Sequence, residues 1–227
     1  MKLVRHGQPG AERAGLIDAQ GVLRDLSMLL PDIGPTQLAP RTLAALAAID
    51  AARLPAVEPG TRLGCPVGGV GKIVCVGLNY ADHAAEADAL AHVAGYVLAN
   101  DVSERSYQME RGGQWDKGKG CDTFAPVGPW LVTTDEIPDP HAIGLWLEVN
   151  GQRMQDGHTR NFIFGVPRVL AYISQFMTLE PGDLVLTGTP AGVGLGQKPT
   201  PRFLRAGDVM RLGATGLGEQ RLVCTGG

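Results

Sequence analysis

The sequence predicts an α+β chain: a mixed β-sheet roll or sandwich over residues 66–227, preceded by a small α+β domain over residues 1–65. Three observations carry this. Most apolar runs are of strand length, and few repeat at helical spacing. Turn residues are abundant, with 32 Gly and 16 Pro in 227 residues, as a loop-rich β fold requires. Strands and helices do not alternate, which argues against a doubly wound parallel sheet.

Taken in order, residues 2–5, 15–18 and 22–25 read as short strands, with Gln20-Gly21 as a turn between the last two. Residues 40–51 are apolar at helical spacing through Leu43, Leu46, Ala47 and Ile49, and Pro40 suits a first-turn position. Pro55, Pro59, Gly60 and Pro66 mark a linker. Residues 73–76 form a short strand, 80–93 a helix, 95–100 a strand and 103–109 a helix. Strands follow at 127–132, 143–149 and 152–155, the last two joined by Asn150-Gly151, a strong two-residue hairpin signal. Residues 167–177 form an amphipathic helix with Leu170, Ile173 and Met177 on one stripe, and 183–186, 209–212 and 219–223 complete the strands.

Composition narrows the function. The formal charge is −3, from 20 basic and 23 acidic residues. No basic face is evident, so nucleic acid is not an expected partner. No apolar run approaches a membrane span, and Met1 to Gly7 lacks the apolar core of a signal peptide. Four cysteines, at 65, 75, 121 and 224, form no Cys-x-x-Cys pair. Free thiols and a cytoplasmic location are expected.

The richest segment is Asn100-Asp101-Val102-Ser103-Glu104-Arg105-Ser106-Tyr107-Gln108, followed by Gly118-Lys119-Gly120-Cys121-Asp122-Thr123-Phe124-Ala125-Pro126. If helical from Asp101, Arg105 and Gln108 share its face at i+4 and i+7. An Arg, an amide, a Lys and a carboxylate converging on one mouth suit a small acidic metabolite. Plainer readings exist for each. Asp101 fits a helix N-cap, Arg105 and Gln108 a solvated face, and Lys119 a flexible loop lysine. His83 and Glu86, at i, i+3, fit either a surface pair or an oriented acid–base pair, and Thr189 before Pro190 fits turn chemistry. Neither Gly69-Val70-Gly71-Lys72 nor Gly192-Val193-Gly194 completes a phosphate-loop or dinucleotide pattern.

The same segment resembles the core signature of the fumarylacetoacetate hydrolase family. Gly77-Leu78-Asn79-Tyr80-Ala81-Asp82-His83-Ala84-Ala85-Glu86, Gln155-Asp156-Gly157-His158-Thr159-Arg160 and Pro181-Gly182-Asp183 through Gly188-Thr189-Pro190 resemble three further motifs, in the same order. The resemblance covers residues 71–227, and the family's bacterial members carry a small leading domain. It implies a homodimeric, metal-dependent hydrolase that cleaves a C–C bond in a small β-diketo or 2-oxo acid, such as an acylpyruvate, a fumarylacetoacetate-like compound or a diketo-deoxy sugar acid. Relatives that decarboxylate, isomerise or dehydrate are the alternatives within the family. By resemblance, His83 backed by Glu86 activates water and Lys119 stabilises the leaving enolate. Arg105, Gln108 and Thr189 bind substrate, while Asp101, supported by Thr123, binds Mg²⁺ (or Mn²⁺ or Ca²⁺).

One departure stands out. The family's cation is also held by a Glu-x-Glu pair on a strand between the His-x-x-Glu and the Asp. Only 18 positions separate His83 from Asp101, too few for that strand and its connections. Either the block is lost between Glu86 and Ala87, or the chain as written is shorter than the natural one. Glu86-x-Asp88 and Glu148 do not convincingly replace it, and a lone carboxylate is a poor oxygen cage. The chain as written is therefore expected to hold the cation weakly, and a metal-free binding or interaction protein is the rival reading.

Overall fold

A computed structural model describes residues 1–76 and 89–226. Among the described residues there are eleven strands: β1 (Lys2–His6), β2 (Arg13–Ile17), β3 (Leu23–Asp25), β4 (Ile73–Cys75), β5 (Gly95–Tyr96), β6 (Leu131–Thr133), β7 (Gly144–Val149), β8 (Gln152–His158), β9 (Leu184–Leu186), β10 (Val209–Ala214) and β11 (Gly218–Val223). Three α-helices accompany them: α1 (Pro40–Ala47), α2 (Arg105–Glu110) and α3 (Val166–Ile173). The strands make a five-stranded sheet in the order β3-β2-β1-β6-β5, a four-stranded sheet β11-β10-β7-β8, and a parallel pair β4-β9. This is the mixed α+β architecture the sequence predicts.

Alternation of side chains across the five-stranded sheet builds two cores. Leu3, Leu16 and Leu131 face one way and pack with Leu38 and Leu46, the latter on α1. Val132 faces the other way and meets Leu212 and Ala214 of β10 together with Ile143 and Leu98. The five-stranded sheet thus joins one face to the amino-terminal helix and the other to the four-stranded sheet.

The boundary expected at residue 65 does not coincide with a sheet boundary. β1 pairs antiparallel with β6, Lys2 opposite Val132 and Leu3 opposite Leu131. The Met1 amino group reinforces the join through Thr133 Oγ1 at 2.7 Å.

Element ends depart from expectation for identifiable reasons. The strand expected over 127–132 shrinks to β6, because Pro129 has no N–H to give a ladder. Upstream of it only an isolated bridge joins Ala99 and Val127. The first helix stops at Ala47, and Asp50 then caps a short 3₁₀ turn by accepting from Ala52 N at 3.2 Å. Most of the helix expected over 80–93 lies outside the described residues; Ala89–His92 is one 3₁₀ turn. The third helix buries Val166, Val169 and Ile173, and His141 Nε2 accepts from Val166 N at 3.0 Å at its start. Asn150 and Gly151 join β7 to β8 with φ of 52° and 77°, as a two-residue hairpin turn demands.

Candidate functional site

The short parallel pair β4-β9 sets the frame of the site. Its entrance is clamped by Asp183, whose carboxylate accepts from Lys72 N at 2.9 Å, Glu180 N at 2.8 Å and Lys72 Nζ at 2.9 Å. Burial pushes the Asp183 carboxyl up, but the two backbone N–H groups and the Lys72 ammonium outweigh it and hold it below the usual carboxylate range. At the exit end, Val76 N donates to Leu186 O at 2.9 Å. There Gly188 sits beside Val76, and the chain turns into Thr189-Pro190.

The Asp101 segment lies against this exit end. The Cys75 thiol is raised chiefly by burial, further by the Asp101 charge, and is drawn back by Lys119. Asp101 follows the end of the antiparallel run that includes β5 and β6, where Asn100 N donates to Pro126 O at 3.0 Å. Lys119 Nζ reaches Asp101 Oδ2 at 2.7 Å and Ser103 Oγ at 2.7 Å. Lys119 is therefore fixed, not a loose loop lysine.

Two expectations are corrected here. Asp101 does not cap a helix and does not share one with Arg105. The helix α2 begins at Arg105, and Glu104 is its N-cap, accepting from Ser106 N at 2.9 Å and from Ser106 Oγ at 2.7 Å. The i+4 and i+7 alignment fails because Asp101 lies before the helix in a tight turn, where Val102 N donates to Asn100 O at 2.9 Å. Within α2, Arg105 Nη1 donates to Gln108 Oε1 at 2.5 Å. Gln108 is buried, and its Nε2 has no hydrogen-bond partner among the described residues.

The remaining predicted residues are placed as follows. Thr123 is exposed with φ of 65°, and Ala125 follows at 51°, so the loop after Lys119 holds two non-glycine residues in the left-handed region. Thr189 Oγ1 accepts from Gln155 Nε2 at 2.8 Å, and the same amide donates to Pro190 O at 2.8 Å. The structure thus brings Asp101 to Lys119 and Arg105 to Gln108, and anchors Thr189 from β8. A groove between β8 and the following C-terminal loop, lined by Met154, Arg202, Phe203 and Arg205, contains none of these residues. His83 and Glu86 lie outside the described residues. Sequence reasoning missed Cys75, Ser103 and Gln155 as parts of the arrangement. Ser103 and Gln155 stood inside quoted motifs, whereas nothing in sequence marks Cys75.

The described residues do not make up a divalent-cation site. Among them no three His, Cys, Asp or Glu side chains cluster, and the Asp101 carboxylate is already compensated by Lys119. A hard cation takes six to eight oxygens, or an octahedral set with waters, and one compensated carboxylate falls short of that.

Residues 85–223 match the family profile described as "Fumarylacetoacetate (FAA) hydrolase C-terminal". The chain belongs to the fumarylacetoacetate hydrolase family. A Burkholderia cenocepacia relative, provisionally named a hydrolase, is 47% identical over 274 positions, covering 97% of each chain. That alignment is longer than the 227 residues here, so the relative carries a stretch without counterpart in this chain. Among solved structures, the fumarylacetoacetate hydrolase of Exiguobacterium antarcticum superposes with a TM-score of 0.83 at 29% identity, covering 100% of both chains. A 2-hydroxyhepta-2,4-diene-1,7-dioate isomerase of Mycobacterium marinum gives 0.69 at 29%, covering 97% of this chain and 96% of its own. Maleylpyruvate hydrolase of Sphingobium sp. SYK-6, solved with manganese(II) and pyruvate, gives 0.77 at 25%, covering 99% of both. The chain is thus similar to hydrolases and isomerases of one family, and a hydrolase-like enzyme is what these relatives support.

Proposed function

We propose that this protein hydrolyses a C–C bond in a small β-diketo or 2-oxo acid of the acylpyruvate or fumarylacetoacetate-like kind. The observation that carries the reading is the Lys119–Asp101 pair beside the exit of β4-β9, with Arg105 at the start of the helix that follows Asp101. Arg105 is partly buried, bonds the neutral Gln108 and meets no carboxylate among the described residues, so its charge is available to an acidic ligand. Lys119 stands with Asp101 in the same segment and is positioned to stabilise enolate charge. Thr189, held by Gln155, would order the loop at the far side of the ligand. Water activation falls to His83 with Glu86, by family resemblance. We place the enzyme in the cytoplasm as a homodimer, in keeping with four free cysteines and exposed apolar side chains such as Tyr172 and Phe176.

The test is a panel of acylpyruvates, followed by loss of the enol absorbance and by product analysis. Release of pyruvate with a carboxylic acid is expected, and Arg105→Met should raise KM by roughly tenfold or more. Turnover of none of the panel by the purified protein would end this reading. A second reading, a non-catalytic binding protein, is favoured by one observation: the relative's alignment spans 274 positions against 227 residues here. Saturable binding of the same acids without any product would support it.

A further inference from the structure

We propose that in this chain Lys119 stands where a divalent cation would compensate Asp101, so that the site binds a small 2-oxo carboxylate without metal. This rests on the reading of the site as one for small oxo acids, and it goes beyond that reading in saying what charge holds the ligand. Three features converge on it. Among the described residues the carboxylate of Asp101 has one cationic neighbour, the Lys119 ammonium at 2.7 Å. No group of metal-binding side chains surrounds it among those residues. An ammonium is a compact point charge with three donors. Lys119 spends one on Asp101 and one on Ser103, which leaves the third for a ligand oxygen. Arg105 adds a second positive charge with no carboxylate of its own among the described residues. Glu104, the nearest acid in the chain, turns onto Ser106 instead. Two cations, Lys119 and Arg105, against the one carboxylate of Asp101 leave one positive charge in excess, which an anionic ligand balances.

The idea separates sharply from a metal site at Asp101. Where Asp101 is a cation ligand, neutralising it removes the cation and weakens binding. Where Asp101 is the counter-charge of Lys119, neutralising it frees the ammonium and tightens binding. The experiment is calorimetric titration of oxalate into the full chain, in excess EDTA and in excess MnCl₂, for the wild type, Asp101→Asn and Lys119→Met. Manganese binding is read separately by electron paramagnetic resonance, and circular dichroism checks that the variants are folded. The expected result is the same oxalate affinity with EDTA and with manganese, and no bound manganese. Affinity should rise in Asp101→Asn and fall roughly tenfold or more in Lys119→Met. Oxalate binding that needs manganese would overturn the proposal and leave the substrate class standing. Weaker binding in Asp101→Asn would also overturn it. Binding under neither condition would overturn the proposal and the substrate class together.

Discussion

Gly118 is packed so closely on Glu104 that a β-carbon at position 118 would overlap the Glu104 carbonyl oxygen, with the Gln108 Cβ only 2.8 Å away. The two backbones are also bonded, Glu104 N donating to Gly118 O at 2.8 Å. Close approach at residue 118 seats Lys119 against Asp101, because the loop and the first turn of α2 are held as one piece. Gly118→Ala should force them apart. The expected cost is about 1–3 kcal/mol of stability, with weakened oxalate binding, measured by urea denaturation and calorimetry. An alanine variant as stable as the wild type would show that the packing is looser than this geometry.

Cys75 reports on the charge balance at the site. Its thiol is raised by burial and by Asp101, and Lys119 works in the opposite sense. Asp101→Asn should therefore lower the thiol pKa and speed alkylation at mildly alkaline pH by roughly two- to fivefold, while Lys119→Met should slow it. Peptide mapping distinguishes Cys75 from Cys65, Cys121 and Cys224. Equal rates in all three proteins would mean that Cys75 does not face the pair.

Asp183 gives the pH dependence a defined sign. Its folded-state pKa is depressed, so its contribution is present above the unfolded value of about 3.9 and is lost as pH falls through the folded value. With only 3% of its side chain exposed, loss of its charge should be felt. Asp183→Asn should lower stability by about 2 kcal/mol near neutral pH. The gap from the wild type should close on acidification below about pH 4. Denaturant titrations at the two pH values measure this, and a gap that persists unchanged in acid would contradict it.

Gln155 ties Thr189 and Pro190 to β8 through one side-chain amide. Gln155→Ala should release that loop at a stability cost of about 1 kcal/mol. Hydrogen exchange at residues 188–192 should quicken, while the β7-β8 hairpin keeps its protection. Unchanged exchange there would assign the loop's order to other contacts.

The strands and turns were legible where local chemistry decides them. Asn150-Gly151 specifies its hairpin because both residues accept positive φ, and Pro40 marks the start of α1. Sheet membership was not legible in the same way. Nothing local in Leu3 or Leu131 says that they pair, so a linker-like run of prolines read as a domain boundary that the sheet crosses. At the site, motif spacing singled out Asp101, Arg105, Gln108 and Lys119, and the structure bonds Lys119 to Asp101 and Arg105 to Gln108. It misjudged where the helix begins, because Asp and Glu both serve as caps and only the fold chose Glu104. The ion pair of Asp101 with Lys119 spans a loop whose path periodicity does not describe.

The pairing of β1 with β6 also orders events in time. Strands β1, β2 and β3 form a meander from neighbouring residues, and it can close as soon as it is made. Its remaining edge has to wait for residues 131–133. At synthesis rates of about 5–20 residues per second, that edge stays bare for on the order of ten seconds. During that interval Leu3 and Leu16 are sheltered on one face by α1 and by neighbours such as Leu26, Ile33 and Leu38, but not yet by Leu131. Contacts this distant in sequence form slowly after release as well. The nascent chain therefore passes through a stage with an unpaired strand edge, the state in which a second copy or a chaperone has its best opportunity to bind.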